Sequence, residues 1–255
     1  PRSLYEGLLE LALTLVEDPD RFTPRRRLFG DHPNTVYLKT DGSLDEDGLE
    51  LVSHPGTFEW WMEAFNWDAL GQISKLRSVH YGPPVAYGAR TTGIHVHISA
   101  DAFTHSHLFK FLAFHYRNPT ICQVVGQRSS TRYCSWSGWL TTRPDIIKFA
   151  KKEGRPHDRY VAVNLTEDRT IELRYFRGNL SPARVRKNLQ WVHAVYTYTK
   201  QLPAVETSDG LKWDAMYQWL KDHRDTYPDL LAFLEERGVT GSIGRATRDV
   251  LEGDA

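Results

Sequence analysis

The chain predicts an α+β protein built on antiparallel strands, and three observations carry that reading. Thr91-Thr92-Gly93-Ile94-His95-Val96-His97-Ile98-Ser99 alternates polar and apolar residues, as a strand with one buried face does. Arg159 to Leu165 and Thr170 to Phe176 repeat the alternation on either side of a polar turn, which reads as a hairpin. Between and after them lie stretches with leucines and aromatics at helical spacing, separated by turns rich in Gly and Pro.

Composition sets the bounds. The chain has 255 residues, 40% of them hydrophobic, with 8 Trp, 12 Tyr and 11 Phe, enough for a sizeable core. One globular domain over residues 1–255 is expected. Basic and acidic residues balance at 32 each, so no broad electrostatic footprint points to nucleic acid or an anionic membrane. The 2 cysteines, Cys122 and Cys134, make no disulfide framework and match no zinc spacing, and read as buried thiols in a reducing compartment. No apolar run approaches the roughly 20 residues that span a bilayer, and the N-terminal residues lack a signal-peptide pattern. A soluble, cytoplasmic protein is expected.

Ser3 to Glu17 places Leu4, Leu8, Leu11 and Leu15 at helical spacing, an amphipathic helix whose role is packing. Arg25-Arg26-Arg27 fall in a proline-flanked connection and read as a solvated loop. Thr35 to Thr40 is a strand stopped by Asp41-Gly42, and Gly48 to Ser53 is the next, with Leu49 and Leu51 on one face and Glu50 on the other. A carboxylate there either faces solvent or needs a partner. Thr57 to Leu70, with Phe58, Trp61, Met62 and Phe65, is expected to be helical and part of the core.

A loop containing Tyr81-Gly82-Pro83-Pro84 leads into the His95 strand. There Ile94, Val96 and Ile98 face the core, His95, His97 and Ser99 face away, and Gly93 leaves room for a close approach. Asp101 is the expected cap of a helix reaching His115, with Phe103, Leu108, Phe111 and Leu112 buried. His105, His107 and His115 on that helix read as surface or satisfied core residues.

Gln127 to Tyr133 carries Arg128 and Arg132 in a polar connection, where a guanidinium either grips a carboxylate or phosphate or makes surface salt bridges. Asp145 to Glu153 is a short helix stopped by Gly154. In the hairpin, Val161, Val163 and Leu165 form one stripe and Ile171, Leu173 and Tyr175 another. Matching the stripes requires a turn of odd length, most simply Glu167 to Arg169, which sets Asn164 opposite Glu172 and Ala162 opposite Arg174. Glu172 and Arg174 then share the face away from the stripe, as a ligand floor or as cross-strand ion-pair partners. Ser181-Pro182 begins a helix running to about Lys200. Helices over Leu211 to His223 and Pro228 to Glu236, the latter ended by Gly238, close the fold, and the polar tail from Thr240 is expected to fray.

Glu50, His95 with His97, and Glu172 with Arg174 are thus presented by three strands from faces turned away from the core. Two imidazoles on a rigid strand suit a metal ion or a phosphate group. The ordered set is Asp41-Gly42-Ser43-Leu44, Gly48-Leu49-Glu50-Leu51-Val52-Ser53-His54-Pro55, Gly93-Ile94-His95-Val96-His97 and Thr170-Ile171-Glu172-Leu173-Arg174-Tyr175-Phe176-Arg177-Gly178. It resembles the glutamine synthetase-like carboxylate-amine ligases, and more closely the amidoligase family found often in phage and bacterial genomes. The motifs span residues 41–178, and the helix that follows the family's last motif is matched in kind by 182–200.

The resemblance implies a glutamine synthetase catalytic-domain-like fold, a curved antiparallel sheet with helices packed on one face, around ATP and Mg2+ or Mn2+. A carboxylate is phosphorylated there, and an amine displaces phosphate to form an amide or isopeptide bond. It makes Glu50, His95, Glu172 and Asp41 metal ligands and His97 a nucleotide-phosphate contact. Arg128, Arg132, Asn164 and Arg177 join His97 as candidate nucleotide contacts. Arg174 and Arg159 would neutralise the transferring phosphoryl group or the acyl phosphate, with Glu50 beside them in catalysis. The substrates implied are small-molecule or peptide carboxylates and amines, and related synthetases form sites between subunits, which suits a homo-oligomer. Phosphoryl transfer asks a protein chiefly for alignment and charge neutralisation, and the absence of a Walker loop is expected of this ligase type.

The family's earlier Glu-x-Glu strand has no counterpart before Asp41, because Glu6 and Glu10 sit in a helical pattern. The chain either begins downstream of that strand or belongs to a branch with an incomplete site. Two other classes stay open. One is an amidoligase-like protein with a binding or structural role and no turnover. The other is a His-x-His zinc or iron hydrolase or oxygenase, which needs a further acid and a further His.

Overall fold

The computed structural model of the protein describes residues 36–40, 49–53, 55–73, 75, 92–129, 133–136, 143–151, 153, 158–203 and 209–241. The expected N-terminal helix, the run Arg25 to Arg27, Asp41, the loop Tyr81 to Pro84, Arg132, Gly154 and the tail beyond Gly241 lie outside those residues. Helices and short antiparallel strands are mixed along the chain, and neither sheet closes on itself. The chain divides into two compact units, residues 1–92 with 178–186 and residues 93–177 with 187–255.

In the first unit, β1 (Val36–Thr40) and β2 (Leu49–Ser53) pair antiparallel, with Lys39 opposite Glu50. The helix expected over Thr57 to Leu70 is instead two pieces, a π-helical turn at Trp60–Ala64 and α1 (Trp67–Ile73). Phe65 between them is extended, at φ −70° and ψ 133°. Packing explains the break. Residues two apart on an α-helix point to nearly opposite sides, yet the Phe65 and Trp67 rings meet at 4.7 Å and Trp67 Nε1 donates to the Trp61 carbonyl at 2.8 Å.

The second unit is built on a three-stranded antiparallel sheet of β3 (Gly93–Ser99), β4 (Val163–Asn164) and β5 (Thr170–Arg177), with β5 in the centre. The hairpin register follows the matched stripes: Asn164 is opposite Glu172, and Arg174 N–H donates to the Ala162 carbonyl at 2.9 Å. The first arm, however, is a two-residue strand rather than one from Arg159 to Leu165. At Ala162 the chain turns its N–H to the Ser135 carbonyl, at 2.9 Å, in a parallel bridge between Ser135 and Val161. A β-bulge interrupts the β3 to β5 register between Ile94 and Val96, so that Arg174 and Tyr175 together face His95.

Helices α2 (His105–Arg117), α3 (Pro119–Gly126), α4 (Arg143–Ala150), α5 (Pro182–Gln201), α6 (Trp213–Asp222) and α7 (Pro228–Glu236) make up the rest. Thr104 caps α2, accepting from His107 N–H at 3.2 Å, while Asp101 lies in a preceding 3-10 turn. The expected cap was therefore three residues early, because Ala100 to Ala102 form their own turn first. Phe103, Leu108, Phe111 and Leu112 are buried as their spacing predicts. Gln190 on α5 caps α7, its amide oxygen accepting from Leu230 N–H at 2.8 Å. At the far end Gly238 takes φ 63°, the left-handed conformation that ends a helix.

Two close fits lock helices to β5. A Cβ on Gly126 would lie 2.0 Å from the Tyr175 carbonyl oxygen, so only glycine allows α3 this near. The fully buried Tyr175 hydroxyl lies 3.0 Å from His115 Nε2 and 2.8 Å from Trp191 Nε1. His115 Nδ1 lies 2.8 Å from the Phe111 carbonyl, which can only accept, so Nδ1 carries the ring proton. The order of donation is then Trp191 N–H to Tyr175, Tyr175 O–H to His115, and His115 N–H to Phe111. Burial pushes the His115 ring down to about 4, keeping the neutral form this chain of bonds requires.

Candidate functional site

Glu172, near the start of the central strand, gathers the site. Alternation turns Thr170, Glu172 and Arg174 to one face of β5, and cross-strand pairing brings Asn164 from β4 and His97 from β3 level with Glu172. Asn164 Nδ2 donates to Oε2 at 2.7 Å and Arg174 Nη1 donates to Oε1 at 2.7 Å. His95 Nδ1 is 3.0 Å from the same Oε1, and His97 Nε2 is 3.8 Å from it. Because an ionised carboxylate only accepts, His95 carries a proton on Nδ1. The side chain of Glu172 is 8% exposed, that of Arg174 13%, and those of His95 and His97 28% and 48%. The carboxylate therefore sits at the floor of the cluster and the imidazoles at its rim.

Burial alone would raise the Glu172 pKa. The hydrogen bonds from His95 and Asn164, with the charges of His95 and Arg174, outweigh it and hold the carboxyl down at about 2. His97 is steadied from its other side by Thr170, whose Oγ1 lies 3.2 Å from Nδ1.

Two of the arginines, Arg159 and Arg174, lie around Tyr160. Arg159 is exposed, with Nη2 2.9 Å from the Tyr160 hydroxyl and its guanidinium 5.0 Å from the ring centre. Arg174 lies 5.8 Å from the same ring and donates from Nε to the Tyr133 carbonyl at 3.4 Å. Arg128 is buried, and Nη1 donates to the Arg174 carbonyl at 3.1 Å. Burial lowers its pKa, Cys134 raises it and Arg174 lowers it further. Cys134 itself is pushed up to about 12 by burial against the pull of Arg128 and Arg174, and with the buried Cys122 it is an inert free thiol.

Of the residues singled out by sequence, His95, His97, Asn164, Glu172 and Arg174 meet on one face, and Arg128 and Arg159 attach to that group through Arg174 and Tyr160. Arg177 pairs with Gly93 at the opposite end of β5. Glu50 is half-buried on β2 in the other unit, and Asp41 and Arg132 lie outside the described residues. Sequence reasoning missed Tyr160 and Thr170. Thr170 was legible, since it continues the alternation of Glu172 and Arg174; Tyr160 carried no signal beyond its place next to Arg159.

The donor set bears on the metal that the resemblance implies. A divalent ion drawing on Glu172 must compete with Arg174 for Oε1 and with Asn164 for Oε2, and a guanidinium stands where the cation would bind. Among the described residues no group of three or more His, Cys, Asp or Glu side chains is arranged to hold a metal ion. As arranged, these residues do not fit Mg2+ or Mn2+. Arg174 on this face, Arg159 joined to it through the Tyr160 ring, and His97 at the rim are residue types suited to phosphate or carboxylate.

No protein-family model, curated protein or solved structure matches this chain. Among the described residues no helix is long and apolar enough to cross a membrane.

Proposed function

We propose that the protein is an ATP-dependent carboxylate-amine ligase with a glutamine synthetase-like sheet, forming an amide or isopeptide bond through an acyl phosphate. The observation that carries this reading is the convergence on Glu172 of residues from separate motifs of the resemblance, His95 and His97 from one and Arg174 from another. In this reading Arg174 and Arg159 neutralise the phosphoryl group as it passes from ATP to the substrate carboxylate. His97 contacts the nucleotide phosphates from the rim. Glu172 and Asn164 hold Arg174 and His95 in place rather than reacting, and Tyr160 supports both guanidiniums. The amine then displaces phosphate at the acyl carbon. The substrates are small-molecule or peptide carboxylates and amines, and the reduced, buried cysteines suit the cytoplasm.

A second reading is favoured by the saturation of the Glu172 carboxylate by its own neighbours: a protein that retains an anion-binding face without turnover. One experiment separates the two. The complete gene product is titrated with a non-hydrolysable ATP analogue, then assayed with ATP, MgCl2, a panel of amino acids and peptides, and hydroxylamine as the amine. ADP release together with hydroxamate formation supports the ligase. Analogue binding that weakens at least tenfold in Arg174→Met, without hydroxamate from any carboxylate, supports the second reading. Absence of nucleotide binding overturns both.

A further inference from the structure

Arg128 lies in a stretch that reads as a polar connection, yet it is 6% exposed. Taking a guanidinium out of water is costly unless its hydrogen bonds offset the loss. Among the described residues no carboxylate pairs with Arg128; its partner is the Arg174 carbonyl, 3.1 Å from Nη1.

That carbonyl has lost its ordinary donor. In a closely paired site of an antiparallel ladder, two opposite residues exchange both N–H to C=O bonds. Arg174 gives its N–H to the Ala162 carbonyl, but Ala162 gives its own N–H to Ser135. The return bond is missing, and Arg128 supplies it. Along the other edge of β5 the bulge opposite His95 removes regular pairing from Arg174 and Tyr175. Arg174 thus stands where the ladder is incomplete on one side and bulged on the other. Gly93 makes room for the guanidinium that fixes it, since a Cβ there would lie 2.6 Å from Arg128 Nη1.

We infer that Arg128 is a positioning residue: by closing the orphaned carbonyl of Arg174, it fixes the bulge that sets the Arg174 side chain against Glu172 and Glu172 against His95. The inference rests on the ligase reading only in taking this cluster as the working site, and its test uses no nucleotide.

The ring-nitrogen shifts of His95 and His115 are recorded by NMR in the full chain, in Arg128→Met, in Gly93→Ala and in Glu172→Ala. In the parent chain His95 shows its proton on Nδ1, and in Glu172→Ala it shows the averaged tautomers of a ring in water. Arg128→Met removes the donor. Gly93→Ala keeps the charge but pushes the flexible end of Arg128 aside. The expected result is loss of the Nδ1-protonated signature of His95 in both variants, as in Glu172→Ala, while the His115 signature is unchanged and certifies the core. An unaltered His95 signature in both variants, with His115 intact, overturns the inference. If Arg128→Met loses the His115 signature, it has unfolded and Gly93→Ala alone decides: loss at His95 supports the role and retention refutes it. An absence of ATP binding leaves either outcome untouched.

Discussion

Arg174 Nη1 lies 2.7 Å from Oε1 of Glu172, two residues back along the same strand, and both side chains are largely shielded from water. Same-face neighbours on one strand are set apart by the pleat, so their contact requires the guanidinium to fold back over the sheet. A shielded pair of this kind is costly to break from one side, because the partner left behind is a desolvated charge. Glu172→Ala is expected to lower stability by about 3 kcal/mol at neutral pH, read from urea denaturation. A loss below about 1 kcal/mol would show the pair to be exposed in solution.

Acid should reveal the same carboxylate. Its folded pKa is depressed to about 2 from an ordinary 4.5, so the unfolded chain takes up a proton that the folded one refuses. The stability it confers is whole above pH 4.5 and is lost as pH falls through 2, on the order of 3 kcal/mol in all. Denaturation curves between pH 5 and 2 should be steeper in pH for the parent chain than for Glu172→Gln. Parallel curves would refute the assignment.

His115 and His107 act over a higher window. Burial is the main cause that lowers each to about 4 from 6.5, so both are neutral in the folded state and protonate in the unfolded chain first. Stability is whole above pH 6.5 and declines as pH falls toward 4. His115→Gln is expected to flatten, without abolishing, the decline between pH 7 and 5, since His107 still contributes. An unchanged slope would mean that His115 is hydrated.

The Tyr175 hydroxyl serves two buried partners, so Tyr175→Phe strands Trp191 Nε1 and His115 Nε2 together. With each buried unsatisfied group costing about 1–3 kcal/mol, a loss of about 2–4 kcal/mol is expected. Thermal melts of Tyr175→Phe beside Tyr198→Phe, which frees one carbonyl from a bond of 2.6 Å, should rank the first as the more damaging.

Glycines separate by their surroundings. Gly126→Ala meets backbone at 2.0 Å, whereas Gly241→Ala meets its nearest atom at 3.5 Å. The first should cost about 3 kcal/mol or more as α3 is forced off β5, and the second should lie within about 0.5 kcal/mol of the parent. Equal melting temperatures for the two variants would contradict the packing of α3.

Much of the sheet could be read in advance because alternation is a strict period. Matching Val161, Val163 and Leu165 to Ile171, Leu173 and Tyr175 forced Asn164 opposite Glu172, which is where it stands. Alternation says nothing of a bulge, since the sequence period of Ile171, Leu173 and Tyr175 runs unbroken through the point where two residues of β5 face one of β3. It is equally silent on Ser135, whose carbonyl draws Ala162 away and shortens β4. Arg128 was readable as a cation with a job but not as a buried one, because burial there depends on a glycine 35 positions earlier in the chain. The break at Phe65 came from ring packing that a helical period cannot register.

One oxygen of Glu172 is shared by a guanidinium and an imidazole, with a second imidazole close by. Such sharing ties the fates of several positions in descent: a lineage that replaces Glu172 leaves Arg174, His95 and Asn164 without their common acceptor at one stroke. Relatives of this protein should therefore keep the four residues together or surrender them together, and a broad sample holding Arg174 with an apolar residue at 172 would break that coupling.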